Sequence, residues 1–85
     1  MQDDLDIFEI IKEIFITTFN LSGEIITPDA VLSSDLGLDS IDAIDFIVIL
    51  EKKVGYKLNM EHLLEIKTVG NVVKKVEEMI ENQNK

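Results

Sequence analysis

Apolar residues along the 85-residue chain recur at helical spacing, and the alternation that marks a half-buried strand is weak. Ile7, Ile11 and Ile14, with Phe8 and Phe15, predict a first helix from about Asp3 to Asn20. Asp3, Asp4 and Asp6 suit its positive N-terminal end, and Gly23 in "NLSGE" is the expected stop. A long connection follows, in which Thr27-Pro28-Asp29 reads as a short helical turn. Ile25, Ile26, Val31, Leu32, Leu36 and Leu38 are expected to pin that connection to the core. A second helix begins at Asp39 or Ser40 and ends near Gly55, and a short third helix capped by Asn59 fits "YKLNMEHLLEIKT". After Thr68, a good cap, Val69, Val72, Val73, Val76 and Ile80 mark the last helix, with "ENQNK" frayed at its end. The predicted architecture is all-α: one domain over residues 1–85, a four-helix bundle of three longer helices and one short one.

The helix after Ser40 has more apolar surface than one core face requires. Wound at about 3.6 residues per turn, Ala43, Phe46, Ile47, Leu50 and Val54 gather on one side as a sufficient core stripe. Ile41, Ile44, Val48 and Ile49 fall on the other, mixed with Asp42, Asp45 and Lys52. A loop covering Ile49 and part of Ile44 is the plain explanation. Apolar residues bordered by one dominant charge also make a docking surface, and this is the preferred expectation.

Charge sharpens that picture. The net charge is −9, and all eight basic residues are Lys. No Lys stands between Lys12 and Lys52, a span holding Glu13, Glu24, Asp29, Asp35, Asp39, Asp42, Asp45 and Glu51. Such a surface repels nucleic acid and anionic membranes and favours basic protein partners. No Cys is present, so neither a disulfide framework nor a thiolate metal site is available. The acidic N-terminus "MQDDLDIFEI" argues against a secretory signal, and no apolar run approaches the roughly 20 residues of a membrane span. A soluble, cytoplasmic monomer is the expectation.

Ser40 stands between acids at the head of the apolar helix. Capping by Asp39 or Ser40 is its plain explanation. A hydrolytic nucleophile needs an oriented base, yet the one histidine, His62, lies in another element, and no Gly-x-Ser-x-Gly elbow is present. His62 itself lacks companion ligands and reads as a surface or half-buried helix residue. A calcium loop over "DLGLDSIDAIDF" fails because Ser40 replaces the turn glycine and Phe46 the bidentate Glu. Modification of Ser40 by another protein fits better. Free N–H groups at a helix start favour an added phosphate by roughly 0.3–1 kcal/mol, and Gly37 permits a sharp turn just before.

The stretch "DLGLDSIDAIDFIVILEKKVG" resembles the signature of the acyl carrier proteins, small acidic four-helix carriers. "IKTVGNVV" is similar to the threonine-valine-glycine opening of that family's last helix, so the resemblance covers about Ser34 to Val76. It implies that Ser40 carries 4′-phosphopantetheine, transferred from coenzyme A by a holo-carrier synthase with Mg²⁺, and that Asp39 assists the metal. The arm's thiol would bear acyl cargo, and the chain itself would not be an enzyme. The resemblance also implies that Ile41, Ile44 and Val48 are apolar partner contacts. Asp39, Asp42, Asp45 and Glu51 would meet Lys and Arg on acyltransferases and ketosynthases.

Lys52 and Lys53 stand where relatives often continue with acids, and Ile41 where Leu is commoner. These departures bear on which pathway the carrier serves. A fatty-acid carrier leads. A dedicated carrier for a polyketide, lipid-modification or aminoacyl pathway stays open, although the Asp before Ser40 disfavours the peptidyl-carrier type, which has His there. A helical adaptor that is never modified is the alternative of a different class.

Overall fold

The computed structural model describes residues 6–83. It contains α1 (Ile7–Thr18), α2 (Ser40–Val54), α3 (Met60–Leu64) and α4 (Val69–Gln83). The expected all-α bundle of three longer helices and one short one is what forms. Among the described residues there is no strand, only an isolated antiparallel bridge between Val31 and Thr68.

α1 packs on α2 and α4, and α3 packs on α2. Ile11, Ile14 and Phe15 of α1 are fully buried, meeting Ile47 and Leu50 of α2 and Val69, Val72 and Val76 of α4 in one core. Phe15 stacks on Phe46 with ring centroids 4.7 Å apart, tying α1 to α2. Burial of a side chain of this size stabilises by roughly 1.5–3 kcal/mol relative to exposure.

Both ends of α1 differ from expectation. Asp6 is extended and its carboxylate accepts from the Glu9 N–H at 3.3 Å, so the helix starts at Ile7 rather than near Asp3. Asp3 and Asp4 lie outside the described residues. At the other end the helix stops at Thr18, and Asn20, not Gly23, adopts the left-handed backbone at φ 61°. Gly23 instead opens a 3₁₀ turn, Gly23–Ile25, capped by Ser22.

The Thr27-Pro28-Asp29 segment is a single hydrogen-bonded turn, closed by Ala30 N–H on the Thr27 carbonyl, and not a helical turn. Its backbone is needed elsewhere. Gly70 N–H donates to the Pro28 carbonyl at 2.8 Å, Val69 N–H to Ala30 at 3.0 Å, and Leu32 N–H to Lys67 at 2.8 Å. These bonds stitch the long connection to the head of α4. Ile26, Leu36 and Leu38 are buried as expected, with Val31 and Leu32 half-buried, whereas Ile25 is exposed and pins nothing.

Gly55 ends α2 in the left-handed region at φ 77°, Asn59 caps α3, and Thr68 Oγ1 accepts from Asn71 N–H at the start of α4. The last helix does not fray over the whole of "ENQNK". It runs to Gln83, whose side-chain amide bonds both the N–H and the carbonyl of Lys57. Residues 84–85 lie outside the described residues.

Candidate functional site

The head of α2 is built by its own approach. Asp35 Oδ2 accepts from Val31 N–H at 2.7 Å, Gly37 turns the chain at φ 69°, and buried Leu38 donates its N–H to the Leu32 carbonyl at 2.9 Å. A residue with a side chain would be strained at position 37. The loop therefore arrives at Asp39 anchored on one side by Leu38 and held in a tight turn on the other.

Asp39 is the N-cap. Its Oδ1 accepts from Asp42 N–H at 2.9 Å, while Asp42 Oδ2 accepts from Asp39 N–H at 3.4 Å, a reciprocal capping box. Of the two capping candidates, Asp39 and Ser40, the structure gives the task to Asp39. Ser40 is the first helical residue, it is exposed, and among the described residues no hydrogen bond engages its hydroxyl.

Ser40 opens onto a cleft of about 360 Å³ between the head of α2 and the C-terminal end of α3 with the segment that follows it. Leu38, Ala43, Leu64 and Ile66 supply its apolar wall, and Lys67 its cationic rim. Ala43 was expected in the core; it is half-buried because it faces this cleft. Leu64, Ile66 and Lys67 escape a reading centred on Ser40, since they reach it from a different segment. Their one sequence signal is that they run into the "IKTVG" motif.

Along α2, Phe46, Ile47, Leu50 and Val54 are buried as expected. On the opposite flank Ile41 is 70% exposed, and Ile44 and Val48 are each 39% exposed. Ile49 is half-buried against the core, as the covered-residue explanation anticipated. The acids differ in freedom. Asp39 and Asp45 are exposed, whereas Asp42 is half-buried in the capping box. Glu51 is half-buried too, and its Oε2 accepts from Leu58 N–H at 2.9 Å, fixing the loop that follows α2. That internal bond was not visible from sequence. His62 is exposed on α3, and its ring enters no metal-ligand group.

An exposed hydroxyl, free of capping and beside a partly apolar cleft, fits a covalently attached arm. The helix N-terminus behind it suits a negatively charged linkage. Among the described residues no cluster of three or more His, Asp or Glu is placed to hold a metal, and no helix is long and apolar enough to cross a membrane.

Comparison with known proteins identifies the family. The family model for the phosphopantetheine attachment site matches residues 9–76. The acyl carrier protein 2 of Ralstonia nicotianae is 34% identical over 77 residues, covering 91% of this chain and 95% of the relative. The acyl carrier protein of Helicobacter pylori strain G27 is 36% identical, covering 85% of this chain and 92% of the relative. That of Saccharopolyspora erythraea is 37% identical, covering 84% and 75% respectively.

Proposed function

The chain belongs to the acyl carrier proteins, the family built around a phosphopantetheine attachment site, and on that premise we propose that Ser40 takes the arm and that the carrier serves fatty acid biosynthesis. The observation that carries this reading is the division of labour at the head of α2. Asp39 closes the helix end, which leaves the Ser40 hydroxyl exposed at its tip, with no hydrogen bond to it among the described residues.

Loading is a phosphoryl transfer performed by a holo-carrier synthase. Ser40 Oγ forms the new bond to the β-phosphorus of coenzyme A, its proton passes to a base on the synthase, and adenosine 3′,5′-bisphosphate leaves. Asp39 uses Oδ1 for the cap, so its second oxygen is available to the Mg²⁺ that accompanies the transfer. The free N–H groups of the first turn favour the resulting phosphodiester. The attached group supplies a thiol that bears acyl groups as thioesters. Leu38, Ala43, Leu64 and Ile66 offer the near end of such a cargo an apolar wall.

The outer flank of α2 serves recognition. Ile41, Ile44 and Val48 seat in apolar depressions on partner enzymes, and Asp39, Asp42 and Asp45 meet basic groups around them. Glu51 contributes its charge from a position already tied to Leu58. Exposed pairs of this kind are worth about 0.2–1 kcal/mol each, which supports fast capture and fast release. Lys52 and Lys53 in the last turn of α2 favour a second reading, a carrier dedicated to a polyketide, lipid-modification or aminoacyl pathway.

Intact mass after incubation with coenzyme A, Mg²⁺ and a holo-carrier synthase tests the first step. The gain of one phosphopantetheine, absent in Ser40→Ala, is expected; no gain in the wild-type chain leaves an unmodified adaptor. Transfer of malonyl to the loaded chain by the host's fatty-acid malonyltransferase is expected next, and its failure moves the chain to a dedicated pathway.

A further inference from the structure

The exposed flank of α2 is not uniformly acidic; it changes sign along its length. At about 100° per residue, Ile41, Ile44, Asp45, Val48 and Lys52 fall within about 100° of the helix circumference, and Lys53 lies about 100° round from Lys52, on the side of Asp42. Asp45 and Lys52 are both exposed. Asp39, Asp42 and Asp45 crowd the first half of the helix, and Lys52 and Lys53 close its last turn; Glu51 beside them is half-buried and turned to the Leu58 N–H, which leaves the two lysines as the exposed charges there. Among the described residues, no carboxylate forms an ion pair with Lys52 or Lys53. Asp45 and Lys52 are seven residues apart, about 10 Å along the axis at 1.5 Å per residue. Between them Val48 is 39% exposed, and Ile41 at the stripe's head is 70% exposed.

We infer that this flank docks an enzyme whose surface is itself divided: a basic patch faces Asp39, Asp42 and Asp45, an apolar socket takes Ile41 and Val48, and an acidic patch lies about 10 Å further on to meet Lys52 and Lys53. The inference rests on the carrier reading and deepens it, since it specifies the partner's charge order. A uniformly basic partner would be repelled at the Lys52 end. A divided one is attracted at both ends and is held in a single orientation along α2, because reversal would oppose like charges at each end. The helix C-terminus alone explains one favourable role for these lysines, but it does not account for Lys52 continuing the same exposed stripe as Ile41 and Val48.

The test compares the wild-type holo-carrier with Lys52→Glu/Lys53→Glu as substrates of the host enzyme that loads acyl groups onto it, at low ionic strength. The two hypotheses differ in sign. A divided partner predicts a KM raised about three- to tenfold with kcat unchanged, an effect that 0.5 M NaCl erases and Lys52→Arg/Lys53→Arg does not produce. A KM that falls or stays the same overturns the inference, because a uniformly basic partner gains from the reversal. Melting of both variants separates docking from any loss of helix stability, and Lys52→Gln provides a neutral check with a smaller rise in KM. Arm attachment to the variant is measured separately by mass. A wild-type chain that gains no arm refutes the carrier reading, whereas normal loading with an unraised KM refutes the charge order alone.

Discussion

The carbonyl oxygen of Pro28 accepts a hydrogen bond from Gly70 N–H at 2.8 Å and lies 2.9 Å from the point where a Cβ on residue 70 would stand. The oxygen is backbone, so it cannot swing aside as a long side chain would. The glycine of the Thr68-Val69-Gly70 sequence is thus a contact requirement: it lets the connection between α1 and α2 lie against the head of α4. The approach to Ser40 is anchored through that contact.

Gly70→Ala therefore forces the connection away from α4. Overpacking costs about 1–3 kcal/mol, against a helix-propensity gain of up to about 1 kcal/mol. A net loss of about 1 kcal/mol is expected, lowering Tm by roughly 4–8 °C in a domain of this size. Thermal unfolding followed by circular dichroism measures it; an unchanged or raised Tm would show that the connection yields freely.

Asp39 has two separable duties, one structural and one in loading. Asp39→Ala removes the cap of α2 and is expected to cost about 0.5–2 kcal/mol. Asp39→Asn keeps a capping oxygen, so its Tm should stay close to wild type while Mg²⁺-dependent arm transfer slows at least tenfold. Loading that survives in Asp39→Asn would confine this residue to the cap.

Asp45 is the cleaner probe of docking charge than Asp42, since Asp42 also belongs to the capping box. Asp45→Lys should change stability by no more than about 0.5 kcal/mol and raise the KM for the holo-carrier synthase severalfold, with added salt weakening the wild-type interaction in the same direction. Ile41→Ala is expected to raise KM without altering the fold, because the side chain is mostly outside the core. Titration of KM against ionic strength is the measurement.

Glu51→Ala leaves the Leu58 N–H without its acceptor in a half-buried site. The expected cost is about 1–3 kcal/mol, accompanied by faster amide exchange between Gly55 and Asn59. If stability holds and only partner KM rises, Glu51 belongs to the docking surface alone.

Much of this was legible in the residues. Gly55 and Thr68 end and begin helices through local chemistry, and winding alone gives the faces of α2 except at Ala43, which faces the cleft, and Ile49, which packs against the core. What failed was non-local or a near tie. Asn20 took the left-handed position that Gly23 was expected to fill, since both residue types tolerate it. Pro28 gave up a helical turn because its carbonyl is engaged by Gly70, forty-two positions later. Glu51 looked like one more surface acid until the chain folded back to bring Leu58 within reach. Gln83 likewise holds the end of α4 by bonding Lys57, which no window of sequence around residue 83 contains. The cleft beside Ser40 draws Leu64, Ile66 and Lys67 from beyond α2, so only the assembled bundle reveals it.

The capping box has one more consequence. With the helix end closed by Asp39 and Asp42, decorating the neighbouring hydroxyl breaks no bond of the cap. A load is registered instead at the cleft beside it, so a difference in melting between bare and laden molecules should report on cargo lodged against Leu38, Ala43, Leu64 and Ile66.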